Sequence, residues 1–351
     1  MKFTLKSLSK RKKVLIIVCS VIFVVVAVVY AVFFHYYSML DYKPLEDEPT
    51  LDYVENETDP DLNNSSQSEI DDMVNSINNN INSVTELSSK YVQNFLLIGT
   101  DSRSNDGRGR SDAMILVSVN SKSKKVVLTS FLRDIYLYIP SVGNNRLNAS
   151  YAYGGTSLLL KTLRQNFGIT CDKYASVNFF SFIDVIDALG GVDIDVTSAE
   201  IPYINHNLKE INKLRGLPSG TYSLSSSQAG SIHLNGSQAL AYARIRYIGT
   251  DFGRTDRQRK VITSLMTSFK SASIGEINSF ASKVLPLVST NLTQGDLIKL
   301  ISSIGTYRNY EIKSQSIPAN GTYKFVTINK MAVISIDFKK NIQILKESIY
   351  Q

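Results

Sequence analysis

The 351-residue chain sets 38 lysines and arginines against 31 acids, for a formal net charge of +7. Six of the cations, Lys2, Lys6, Lys10, Arg11, Lys12 and Lys13, precede residue 14, so the remainder is only mildly basic and the excess is no nucleic-acid footprint. There are two cysteines, Cys19 and Cys171, and Cys19 lies inside the apolar run described next, which excludes a disulfide framework.

Residues 1–13 read as a basic cytoplasmic tail. Residues 14–34, from Val14 to Phe34, are an almost unbroken apolar run of about the twenty residues that a transmembrane helix requires. Cations before it and acids after it place the N-terminus in the cytoplasm and the rest outside, anchored to the cell membrane by a single pass. The run exceeds the apolar core of a signal peptide, and no small-x-small cleavage site follows. Residues 35–68 read as an acidic extracellular linker. From Asp41 onward its many acids face only Lys43, with Asn, Ser and Pro between them, which makes a self-repelling spacer. From Glu69 to Lys90, Ile70, Met73, Val74, Ile77, Ile81, Val84 and Leu87 recur at helical intervals, predicting an amphipathic helix at the start of an extracellular domain spanning 69–351.

Three short β-rich runs follow at Phe95 to Ile98, Met114 to Val119 and Val126 to Phe131. Their β-branched content without clean alternation predicts strands covered on both faces, hence a layered α/β fold. The turn at Asn120 to Lys124 is short enough for a hairpin. If the first two strands also pair across the loop from Asp101 to Asp112, then Asp101, Arg103, Arg110, Asp112, Arg133 and Asp134 converge on one edge of the sheet.

That edge has a chemistry. Two carboxylates flanking a Gly- and Arg-rich hairpin can hold Mg2+ or Mn2+, an ion that takes few protein carboxylates and completes its octahedron with phosphate oxygens and water. Five arginines, Arg244, Arg246, Arg254, Arg257 and Arg259, fall within sixteen residues further on. Guanidinium offers forked donors that match phosphate oxygens two at a time, so the cluster suits a phosphate-rich ligand handled at a membrane. His35, His206 and His233 lie far apart without zinc-ligand spacing. No Ser-His-Asp or Cys-His arrangement supports acyl chemistry.

Four segments resemble the blocks of the LytR-CpsA-Psr family: Gly99 to Arg103 with Gly109 to Asp112, Phe131 to Asp134, Asn148 to Gly155, and Arg244 to Arg259. Phe182 to Val196 is similar to the family's buried helix and following strand, and the likeness covers roughly 94–269. Arg146 and Ala149 depart from the lysine and histidine that the family often has around the Asn of its third block.

The resemblance implies a layered α/β/α domain with a central mixed sheet. It implies a membrane-anchored transferase of Gram-positive bacteria that moves a glycan polymer from a polyprenyl diphosphate carrier to peptidoglycan. Carried over by residue, Asp101 and Asp112 would bind magnesium, and Arg103, Arg110, Arg133, Arg244, Arg246, Arg254 and Gln258 would surround the diphosphate. Arg133, Arg244 and Arg246 would act in catalysis, with Asp134 among the carboxylates that could accept the attacking hydroxyl's proton. Asp251 could orient a guanidinium or that hydroxyl. Phe179, Phe182, Ile183 and Ile186 would line a tunnel for the lipid, although an apolar helix of this kind, read alone, is plain core.

Three other readings stay open: a hydrolase that cleaves the lipid diphosphate without passing the glycan on, a non-catalytic binder of anionic wall polymers, and a DNA-binding regulator. Topology opposes the last, because the basic run lies outside the cell. Residues 201–234, rich in Ser, Asn and Gly, read as a loop excursion. Beyond Thr306 a strand or two and a closing helix are expected, with no recognisable chemistry.

Overall fold

The computed structural model describes residues 34–46, 62–101, 109–245, 248, 251–271 and 273–351. The chain divides into two units, Met1–Leu40 and Asp41–Gln351. Of the first, a helical turn at 34–37 is described. The expected anchor at 14–34 therefore lies almost wholly outside the described residues, and among these no helix is long and apolar enough to cross a membrane.

The second unit begins with β1 (Asp41–Tyr42) and α1 (Gln67–Ser83). Ser66 and Glu69 form a capping box at the start of α1, and Met73 and Ile77 bury its apolar face. The helix stops short of the expected Lys90 because Val84 turns extended, at φ −61° and ψ 132°. Next come β2 (Val92–Thr100), β3 (Ser111–Asn120) and β4 (Lys125–Phe131), an antiparallel meander. The expected hairpin lies between β3 and β4, where the Asn120 side chain accepts from the backbone of Lys122 and Ser123 at 2.9 and 3.0 Å.

A small hairpin of β5 (Tyr136–Ile139) and β6 (Gly143–Arg146) leads into α2 (Ala149–Phe167) and β7 (Lys173–Val177). Then follow α3 (Phe179–Ala188), β8 (Val192–Val196), α4 (Ile201–Leu214), β9 (Gly230–Leu234) and α5 (Gly236–Ala243). The chain continues through α6 (Asp251–Ser271), α7 (Ile274–Val284), β10 (Ser289–Thr290) and α8 (Gln294–Tyr307). It closes with β11 (Glu311–Ile317), β12 (Tyr323–Ile328), β13 (Met331–Ile336) and α9 (Phe338–Leu345).

The central sheet has seven strands in the order β1-β10-β7-β2-β3-β4-β11. β7 runs parallel to β2 and β11 parallel to β4, so the sheet is mixed. Met114 and Leu116 of β3 join a core with α1, α2 and α9, whereas Ile115 and Val119 pack toward Ile262 and Met266 of α6. This two-sided burial is why the strands lack alternation. Each such side chain contributes about 1.5–3 kcal/mol.

Three expectations are corrected. Residues 201–234 are no loop excursion: Ile201, Ile204, Leu208 and Ile211 bury one face of α4, with Pro202 in its first turn. The asparagines that made the segment look irregular hold it together, since Asn205 exchanges 2.8 Å bonds with the backbone of Leu224 and Asn212 donates to Thr221 at 2.8 Å. The linker's described ends are tied down. The Lys43 amide donates to Thr290 at 2.9 Å beside β1, and Ser65 donates to Thr327 at 2.9 Å. Third, the segment beyond Thr306 holds three strands, of which β11 completes the central sheet while β12 and β13 form a separate ribbon.

Candidate functional site

The β2–β3 register shifts between Gly99 and Thr100, a bulge of the kind that re-aims side chains at a sheet's end. Thr100 faces Ser111; Asp101 comes directly after β2, and Asp112 is the second residue of β3. Asp101 accepts from the Arg110 amide at 2.6 Å and lies 3.7 Å from its Nε. Arg133, just beyond β4, donates from Nη1 to Asp112 at 2.9 Å and from Nε to Asp134 at 3.3 Å. Arg146, at the end of β6, donates to the other oxygen of Asp134 at 3.1 Å.

Asp112, Arg133, Asp134 and Arg146 therefore form one chain of alternating charge. Arg133, Asp134 and Arg146 are buried, and ions taken from water persist only when paired in this way. Asp134 is gripped by two guanidiniums, which makes it an orienting group for Arg133. Sequence reasoning missed Arg146 as a member of this network. The sequence marked Arg146 only as a departure from the family's lysine beside the Asn148 block.

The second half of the site comes from α3, α5 and α6. Gly236 opens α5, and a Cβ there would lie 2.2 Å from the Ile183 carbonyl oxygen; only glycine lets α5 approach α3 so closely. The Gly236 amide donates to Asp187 at 2.7 Å. At the far end of α5 the Arg244 guanidinium lies 4.7 Å above the Phe179 ring and donates to Glu210 at 3.2 Å. Its Nη1 is buried without a hydrogen bond among the described residues.

A cavity of about 70 Å³ opens here, lined by the polar Asp112, Arg244, Arg254 and Gln258 and by the rings of Phe179 and Phe182. A second recess shares Phe179, Leu240 and Arg244 and extends along Phe180, Ile183 and Leu214. Arg244 is thus the boundary between a charged end and an apolar throat. Ile186 is fully buried in the packed interior and lines neither space. Leu240 and Leu214 line the throat without having been singled out in the sequence.

Packing of α6 sorts its arginines. Residues 254 and 258 are one turn apart and both line the cavity, whereas Arg257 and Arg259 are taken up by ion pairs. Arg257 donates to Glu200 at 2.7 Å and to the carbonyl oxygens of Ile245 and Ile248 at 3.4 and 3.0 Å. Burial works against the Glu200 carboxylate, but the Thr197 amide and Arg257 outweigh it and hold the group below its usual range. Arg259 pairs with Asp256 at 3.1 Å, and burial lowers its affinity for a proton. Arg103 and Arg246 lie outside the described residues; Asp251 begins α6, but its side chain is likewise outside them.

The donor set at the sheet edge suits a hard cation. Asp101, just beyond β2, and Asp112 of β3 offer carboxylate oxygens, and among the described residues no group of three or more His, Cys, Asp and Glu side chains converges. An ion held by these two alone would take its remaining ligands from substrate and water, the habit of magnesium.

The profile of the LytR_cpsA_psr family matches residues 56–347, well beyond the motif-bearing core. The polyisoprenyl-teichoic acid–peptidoglycan teichoic acid transferase TagU of Bacillus licheniformis is 34% identical over 240 residues, 66% of this chain and 71% of the relative. The regulatory protein MsrR of Staphylococcus aureus is 31% identical over 260 residues, 72% of this chain and 73% of the relative. Among solved structures, the Bacillus subtilis protein YwtF (TagT) with bound octaprenyl pyrophosphate lipid is 25% identical with a TM-score of 0.56, covering 77% of this chain and 95% of that one.

Proposed function

Because the chain belongs to the LytR-CpsA-Psr family, we infer that it is a membrane-anchored phosphotransferase. It moves a glycopolymer, such as a teichoic acid or capsular polysaccharide, from a polyprenyl diphosphate carrier to peptidoglycan and releases polyprenyl monophosphate. One observation carries this reading: the cavity where Arg244, Arg254, Gln258 and Asp112 meet Phe179 and Phe182. A cavity that combines cationic donors with aromatic rings matches a molecule that joins a diphosphate to a hydrocarbon chain. The relative TagU is named as a transferase of teichoic acid to peptidoglycan, and YwtF holds a polyprenyl pyrophosphate.

In the reaction a sugar hydroxyl of peptidoglycan attacks the phosphorus that bears the glycan. The bond from that phosphorus to the bridging oxygen breaks, and the lipid phosphate leaves with the electron pair. Arg244 and Arg254 stabilise the charge that grows on the departing phosphate, and Arg133 is oriented toward the same edge by Asp112 and Asp134. Magnesium held by Asp101 and Asp112 would supply further positive charge to the diphosphate oxygens. The hydroxyl proton passes to a carboxylate at the sheet edge, and Asp134, clasped by Arg133 and Arg146, serves better to aim Arg133 than to accept it. Phe179, Phe182 and Ile183 receive the first isoprene units, and the apolar run at 14–34 keeps the domain at the membrane that holds the carrier.

Burial of Arg254 and Arg257 within α6 weighs against a DNA-binding role, which needs guanidiniums presented to solvent. The test is to incubate the full-length chain in detergent micelles with a short-chain polyprenyl diphosphate glycan, peptidoglycan oligomers and magnesium, and to follow products by mass spectrometry. Lipid monophosphate together with glycan joined to peptidoglycan is expected. Monophosphate without the joined product would make the chain a hydrolase, and no turnover would make it a binder.

A further inference from the structure

Next to the arginine-bearing segment stands a row of aromatic rings that the chemistry above does not use. Phe252, two residues before Arg254, stacks on Tyr323 of β12 with ring centroids 4.5 Å apart and planes inclined by 29°. Tyr323 in turn meets Phe325 edge to face at 5.5 Å and 80°. Phe325 is 60% exposed, the highest value among the large hydrophobic side chains described. The β12–β13 ribbon is fastened to the site from the other side as well, since the Ile334 amide donates to the Asp134 carbonyl oxygen at 2.9 Å. The rings therefore join the first turn of α6 to a ribbon that is hydrogen-bonded to the backbone of Asp134, and two of the three come from a part of the chain whose sequence carried no recognisable chemistry.

We propose that Phe325 and Tyr323, braced by Phe252, form the subsite that docks the acceptor glycan strand. The inference rests on the transferase reading and names where its second substrate sits. Aromatic faces are electron-rich and attract the weakly positive C–H bonds on the apolar face of a pyranose ring. An edge-to-face pair presents two surfaces at a corner, which suits successive sugars of a twisted chain. The ribbon's Lys324, Asn329 and Lys330 are exposed. A membrane or a second protein copy would call for a broader apolar patch, whereas here Phe325 alone stands out among polar neighbours.

The chain contains no tryptophan, so Phe325→Trp places a single indole on the rim while keeping an aromatic platform. With this variant of the full-length chain in detergent micelles, titration with peptidoglycan-derived disaccharide oligomers should shift the emission saturably. In the transfer assay Phe325→Ala should raise the KM for the oligomers about fivefold with kcat retained, and Phe325→Trp should restore it. An acceptor KM unchanged in Phe325→Ala would overturn the proposal. So would emission that answers to lipid vesicles or to protein concentration but not to the saccharide, which would assign the rim to a membrane or to a second copy. Polyprenyl diphosphate binding by the parent chain, measured separately, reports on the donor site. If it is absent the transferase reading fails, while the saccharide titration still decides the rim.

Discussion

Arg257 and Glu200 form an ion pair at 2.7 Å with both side chains buried, although Arg257 belongs to the run of arginines that reads as phosphate-binding. The pair ties the start of α6 to the turn before α4. Arg257 also donates to the carbonyl oxygens of Ile245 and Ile248. Removing one member leaves a buried charge, so Arg257→Ala should cost about 3 kcal/mol of stability, read as a lowered denaturation midpoint.

The same pair sets an acid limit. The Glu200 carboxyl lies below its usual range in the folded chain, so its contribution is complete above the unfolded value of about 4.3 and is lost as pH falls through the lower folded value. Denaturant titrations of the parent and Glu200→Gln should show a stability difference that shrinks below about pH 4. A pH-independent difference would mean that Arg257 is held by other contacts.

Arg244 bounds both the charged cavity and the apolar throat. Arg244→Ala should weaken polyprenyl diphosphate binding by about 1.5–3 kcal/mol, roughly ten- to a hundredfold. Arg244→Lys should recover only part of that, because an ammonium cannot fork across two oxygens. Calorimetric titration checks both, and parent-like affinity in the alanine variant would remove Arg244 from the site.

Chelating divalent metal should lower transfer severalfold, with activity returning on addition of magnesium. Asp112→Asn should blunt that response, since an amide oxygen is a weaker ligand for a hard cation. Turnover measured against magnesium concentration distinguishes this from a purely structural role of Asp112 toward Arg133, which would lower activity at every concentration alike.

His233 offers a pH-dependent latch away from the site. Its Nδ1 lies 2.7 Å from the Asp193 carboxylate and its Nε2 2.6 Å from the Gly190 carbonyl oxygen. Both partners are acceptors, so the ring satisfies both only as the doubly protonated cation. The Asp193 carboxylate and then the Gly190 carbonyl raise its proton affinity above that of an ordinary histidine. The contribution to β8–β9 is present below about pH 6.5 and fades as pH rises through the higher folded value. A proton NMR titration of the ring should show the upward shift, and Asp193→Asn should reduce it.

Much was legible from the residues in order. The β-branched runs of β2, β3 and β4, the turn at Asn120 and the apolar face of α1 follow from local propensity and periodicity, which act over a few residues. The resemblance carried by Gly99 to Asp112 and Arg244 to Arg259 reached the family as well, because such motifs are contiguous. Other features depended on residues distant in the chain. Arg254 and Gln258 face the cavity while Arg257 and Arg259 turn away only because α6 packs on β3 and β8 in one orientation, and a linear run of arginines does not state its phase. Arg146 joins Asp134 through the β5–β6 hairpin, and the rim of Phe252, Tyr323 and Phe325 exists only once β12 and β13 fold back beside Asp134. Composition and pattern are local quantities and could determine the elements and their chemistry. The direction in which each charged or aromatic side chain points was decided by packing between elements far apart in sequence.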